Sequence, residues 1–158
     1  MTVLKATYGY ETESVASTDE LTALLDKVAS LPLPTWLELA TPSRDALLIG
    51  LGRDFSSMRF IEGHENGDVY HSTATLDSPE NAEFQFGTVP TSMDPRSAVA
   101  VAAARTAAVE FLQTGRRPEG VEWLVVEVPY VEPEPWDDNI WEPVDPGRPG
   151  TPPGLANS

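Results

Sequence analysis

The stretch FLQTGRRPEGVEW, residues 111–123, commits the chain to a helix-to-strand junction. Gly115 stands where a helix C-terminus favours a left-handed residue, and Pro118 blocks any continuation of the helix. Val121 and Trp123, with Glu122 between them, then restart an apolar pattern at strand spacing. A fold containing this junction needs a helix packed on a sheet. Arg116 and Arg117 fall at the negative end of the helix dipole, where a cation gains about 0.3–1 kcal/mol. That is their structural use; pairing with acids of a partner is the functional one.

Upstream of the junction, Asp94-Pro95 has the form of a helix start, and the helix is expected to run from there to Gly115. Val101, Ala104, Ala108, Phe111 and Leu112 form its narrow apolar stripe. An earlier helix is signalled by the capping-box spacing of Ser17 and Glu20, by Leu21, Leu24, Leu25 and Val28 on one face, and by Pro32 and Pro34 at its end. Strands are expected at residues 2–10, 36–40, 46–52, 56–63, 82–87 and 121–128. In the last of these Val121, Trp123 and Val125 face the core. Asn66-Gly67 predicts a two-residue type I′ turn leading into a strand that contains VYHS. The fold class is therefore α+β: a mainly antiparallel sheet of six to seven strands with two helices packed on it, in the order strand, helix, strands, helix, strand.

Residues 129–158 differ in kind, holding eight of the fifteen prolines and six acidic residues against one basic. They read as an acidic, extended or disordered tail with polyproline II character, leaving residues 1–128 as the folded domain. Trp136 and Trp141 lie in this tail, in EPEPWDDNIWEP, as anchors either for the domain or for a partner. Trp36 and Trp123, in apolar strands, are core candidates.

The whole chain carries 25 acidic and 10 basic residues, a formal net charge of −15. Such a field repels phosphate backbones, arguing against direct contact with nucleic acid or an anionic membrane; taken alone the acidity reads first as a means of solubility, and a basic partner would suit it. No apolar run approaches the ~18 residues of a membrane span, so a soluble, cytoplasmic protein is expected. The absence of cysteine removes thiolate catalysis, disulfides and the commonest zinc sites. His64 and His71 bracket the predicted turn near Glu62, Glu65 and Asp68, but their spacing matches no compact ligand motif. The pair Gly50 and Gly52 lacks the Gly-Lys-Ser/Thr ending of a phosphate loop, and Asp137-Asp138-Asn139 lacks the glycine and distal glutamate of a calcium loop. No catalytic residue, metal site or cofactor is expected.

The segment EFLQTGRRPEGVEW, preceded by LLIGLGRDFSSMRFI and the hairpin strand VYHS, resembles the immunity proteins of bacterial polymorphic toxin systems. The likeness is to the family usually encoded beside deaminase-type toxins, and it covers residues 1–128. It implies a non-enzymatic α+β protein that binds and neutralises a cognate toxin, itself a basic domain acting on nucleic acid. Inhibition would work by covering the toxin's active site or by binding elsewhere and locking an inactive shape. Candidate contact residues are Asp54, Glu62, His64, Glu65, Asp68 and Tyr70, which combine acids with an aromatic on the predicted hairpin and a neighbouring loop. The alternative is a regulatory or scaffold module acting through its acidic Pro/Trp-rich tail.

Overall fold

The computed structural model describes residues 2–126, and the chain reverses direction almost at once. The strand expected at residues 2–10 is β1 (Leu4–Tyr8), and it pairs antiparallel, across a turn at Gly9-Tyr10, with a strand that was not expected, β2 (Glu11–Val15). Helix α1 (Thr18–Ala29) follows, capped by Ser17, whose side chain accepts from the Glu20 amide at 3.1 Å. The Glu20 carboxylate reaches back to the Ala16 amide, one residue beyond the usual reciprocal bond. Leu21, Leu24, Leu25 and Val28 are all buried, as their helical spacing requires.

Strands β3 (Thr35–Ala40), β4 (Ala46–Leu51) and β5 (Phe55–Ile61) form an antiparallel meander. β6 (Val69–Ser72) pairs with β5, and β10 (Trp123–Val125) pairs with β6. The main sheet therefore reads β10-β6-β5-β4-β3-β1-β2, seven strands, all neighbours antiparallel. All six residues of β4 are buried, which means that both faces of the sheet are covered there. On one face Leu37, Leu39, Leu47, Ile49, Met58 and Phe60 share a core with α1 and with α2 (Val101–Thr114). The opposite face carries Trp36, Ala46 and Leu48.

That second face is covered by an excursion only partly anticipated from sequence. β7 (Glu83–Phe86) was expected; its partner β8 (Val89–Ser92) was not. Phe84 is fully buried against Trp36, their ring centroids 5.1 Å apart. Gly50 lies opposite Trp36 in register, and a β-carbon there would come within 2.7 Å of the Phe84 ring. β7 touches β3 in parallel at Thr35 and Gln85, and Ala82, Met93 and Ala98 complete this smaller core.

Three local expectations need correction. Asp94-Pro95 starts a 3₁₀ turn over Pro95–Ser97, with the Asp94 carboxylate accepting from the Arg96 amide at 2.8 Å. The next three residues form β9 (Ala98–Ala100), paired with β5, and α2 begins only at Val101. Backbone pairing to β5 has overridden the helical preference of the alanines. Within α2 Ala107 is buried while Val101 is half-buried, and Gly115 is the left-handed C-cap expected, with φ 68°. Asn66-Gly67 is not a type I′ turn, since neither residue has positive φ. The Gly67 amide instead donates to the His64 carbonyl at 2.9 Å, so these two residues close a four-residue turn inside a longer loop. Gly67 is needed there for space, because a β-carbon would lie 2.6 Å from the Glu62 carbonyl oxygen. Finally, Val125 is 49% exposed and does not face the core, whereas Trp36 is buried and Trp123 half-buried against it. The tail 129–158, with Trp136, Trp141 and Asp137-Asp138-Asn139, and the expected end of the last strand at Glu127 and Val128, lie outside the described residues.

Because Gly50 admits the Phe84 ring, Gly50→Ala is expected to destabilise the domain by roughly 1–3 kcal/mol through overpacking. The check is the midpoint of urea unfolding, with an unchanged slope.

Candidate functional site

At one end of the sheet, the loop between β5 and β6 faces the junction between α2 and β10 across an open cleft of about 670 Å³. Its floor is aromatic. Phe60 lies 6.4 Å from Tyr70, 6.3 Å from Trp123 and 5.7 Å from Phe111, centroid to centroid.

The junction wall is held by hydrogen bonds within itself and to α2. The Gly115 amide donates to the Phe111 carbonyl at 2.7 Å, and the Arg116 amide donates to the Thr114 hydroxyl at 3.1 Å. The Glu110 carboxylate accepts from the amides of Glu119 at 2.6 Å and Gly120 at 3.3 Å, folding the loop back along α2. Pro118 is buried, and its carbonyl accepts the Trp123 indole N–H at 2.8 Å. This fixes Arg117 with its guanidinium 4.1 Å from the centre of the Tyr70 ring, a cation–π contact that ties the two walls together.

The loop wall is organised by carboxylates. Asp45 Oδ1 accepts from the Gly63 amide at 2.8 Å. Glu62 accepts from the Asp68 amide at 2.8 Å through Oε1 and from the Tyr70 hydroxyl at 3.4 Å through Oε2, with His64 Nε2 3.5 Å from Oε1. The Asp68 N–H, above all, holds the Glu62 carboxyl below the usual glutamate range against the opposing effect of desolvation; His64, Tyr70 and Arg117 add to the lowering.

Asp45 and Glu62 thus face Arg116 and Arg117 across an aromatic floor, with Glu119 on the arginines' own wall and His64 at the rim. This arrangement can grip a mixed polar and apolar protein surface. His71, the other histidine, is buried away from the cleft, with Nδ1 2.7 Å from the Ser72 carbonyl oxygen and Nε2 3.9 Å from Asp94 Oδ2. The nearby buried serines are engaged structurally: Ser57 and Ser97 share a hydrogen bond at 2.6 Å, and Ser72 donates to the Ser97 carbonyl at 2.6 Å. Among the described residues no three of His, Cys, Asp and Glu are grouped to hold a metal ion.

Of the six residues singled out from sequence, Glu62, His64 and Tyr70 line the cleft. Glu65 and Asp68 are exposed on the same loop, and Asp68 contributes through its backbone amide. Asp54 lies in the turn between β4 and β5, at the far end of β5, roughly 25 Å along the strand. The cleft's other wall, Arg116, Arg117, Pro118, Val121 and Trp123, comes from the junction segment. Its nearness to the hairpin follows from β10 pairing with β6, Val125 opposite Tyr70, which no local pattern specifies.

Residues 9–124 match one known protein family, described as Imm1: Immunity protein Imm1. The match runs from the first hairpin turn into β10 and takes in both walls of the cleft. No curated protein matches the chain.

The depressed Glu62 carboxyl makes stability depend on pH with a definite sign. Its contribution is complete above the unfolded glutamate value and is lost as pH falls through the lower folded value. Glu62→Gln is expected to be less stable than the unmodified chain at neutral pH. That gap should close on acidification from about pH 5 to pH 3, as read by urea unfolding at each pH.

Proposed function

The chain belongs to the Imm1 family of immunity proteins, and from that premise we propose that it binds a cognate toxin domain of deaminase type and neutralises it by covering the active site. The match over residues 9–124 carries the reading. The charge supports it. A domain that modifies bases must attract a phosphate backbone, and it does so with a basic approach to its catalytic centre. A protein of formal net charge −15 is drawn to the same surface, with association enhanced by up to ~10³-fold at low salt. Covering that approach excludes the nucleic acid without any chemistry by the inhibitor. Glu62, Glu65 and Asp68 supply exposed or half-exposed carboxylates for such attraction, with contact area from His64 and Tyr70 beside them, and Asp54 supplies another at the far end of β5. No helix among the described residues is long and apolar enough to cross a membrane. The proposed place of action is the cytoplasm of the cell that makes the toxin.

The test is co-expression with a cognate toxin domain, sought as the C-terminal domain of an exported protein encoded beside this chain. Growth is expected to be restored and the two chains to elute together on a sizing column. In a deamination assay, inhibition should weaken as nucleic acid substrate is raised. Failure to restore growth while the protein is soluble contradicts neutralisation; inhibition indifferent to substrate contradicts coverage of the active site.

A further inference from the structure

Away from the cleft, at the opposite end of the sheet, four large apolar side chains stand exposed: Tyr10 at 81%, Val89 at 61%, Leu33 at 56% and Phe86 at 50%. They belong to segments distant in sequence that the topology brings together. The β1–β2 turn carries Tyr10, whose hydroxyl donates to the Thr88 hydroxyl of the β7–β8 turn at 3.3 Å. Phe86 and Val89 face each other in register across that second turn. The Pro34 carbonyl accepts the Gln85 amide at 2.7 Å, which places the Leu33-Pro34 segment alongside β7. Gly9 and Gly87 both have positive φ, and a β-carbon at either would meet nothing within 4 Å, so both turns project into solvent.

Strand alternation puts Phe86 on the same side of β7 as Phe84, which is fully buried over Trp36. The apolar surface of the smaller core thus continues past the hairpin into solvent. Acids predominate around it, the nearby Lys27 being paired with Glu13 at 3.3 Å. Glu11 adjoins Tyr10, Glu83 is exposed on β7, and Asp54 is exposed in the β4–β5 turn at this same end. The neighbouring cation, Arg53, is already engaged, donating to the Glu83 carbonyl at 2.9 Å with its guanidinium 5.6 Å from the Phe84 ring centre. An apolar centre with an acidic rim, held by turns already tied to each other, has the form of an interface anchor. A second copy of the chain would bring the same acids and be repelled, whereas a cationic protein would not.

Building on the neutralisation reading, we infer that this two-turn end is the apolar anchor of the toxin interface. Tyr10, Phe86 and Val89 enter a depression on the cationic toxin domain, with Glu11, Asp54 and Glu83 around the rim. Leu33 extends the same contact along its flank.

The experiment is calorimetric titration of the full chain, and of its Tyr10→Ser and Phe86→Ser variants, into the same toxin domain. Circular dichroism melts report whether each variant is folded. Each substitution is expected to weaken binding by about 30-fold or more, the scale of an interface anchor, while Phe86→Tyr retains affinity. Phe86→Lys provides a second, soluble variant and is expected to weaken binding further by setting a cation against the cationic partner. Folded Ser and Lys variants that bind within about threefold of the unmodified chain would overturn the assignment. So would variants that keep their toxin affinity and alter only self-association by sedimentation. If the unmodified chain itself fails to bind, the neutralisation reading falls, and this inference with it.

Discussion

Double-sided burial of β4 governs the molecule. ALLIGL has no face to give to solvent, so the sheet needs apolar cover on both sides. Two helices supply it on one side, where Leu47 and Ile49 meet α1 and α2. On the other, the chain between β6 and α2 folds across Trp36 and Leu48, with Phe84 seated over Gly50. Each buried leucine or phenylalanine contributes on the order of 1.5–3 kcal/mol, so neither cover is optional. The second has a structural consequence. Ala98–Ala100 is drawn into pairing with β5, α2 is shortened, and the β7–β8 turn is carried to the end of the sheet opposite the cleft.

The two ends of the sheet are thereby given different characters. At the cleft end, Asp45 and Glu62 accept from backbone amides and Arg117 is stacked on Tyr70. At the other end, apolar side chains and unpaired acids face outward on short turns. The buried hydroxyls of Ser57, Ser72 and Ser97, which stitch β5 and β6 to the segment before α2, are fully used in that stitching.

Where the signal was local, the sequence was sufficient. Ser17 and Glu20 announced α1, the four-residue spacing of Leu21 and Leu25 gave its buried face, and Gly115 with Pro118 fixed the end of α2. The meander β3 to β5 was plain from short apolar runs between turn residues. Non-local pairing was illegible. Nothing in the composition of AVAVAAA, residues 98–104, distinguishes a helix start from a strand, and Ala98 to Ala100 became β9 because β5 offered hydrogen bonds. Asn66-Gly67 misled because a hairpin signal was read without the length of the loop around it, which Glu62 and Asp68 close through two hydrogen bonds. For the same reason half of the cleft was legible as a hairpin and the other half only as a scaffold junction; the register of β10 on β6 joins them.

The central claim is that a rigid, negatively charged surface recognises a cationic protein by fit and field alone. The most direct measurement is the association rate constant with the toxin domain across a series of salt concentrations. The account predicts a rate that falls steeply as ionic strength rises, by between one and three orders of magnitude, while the dissociation rate changes little. An association rate indifferent to salt would contradict it.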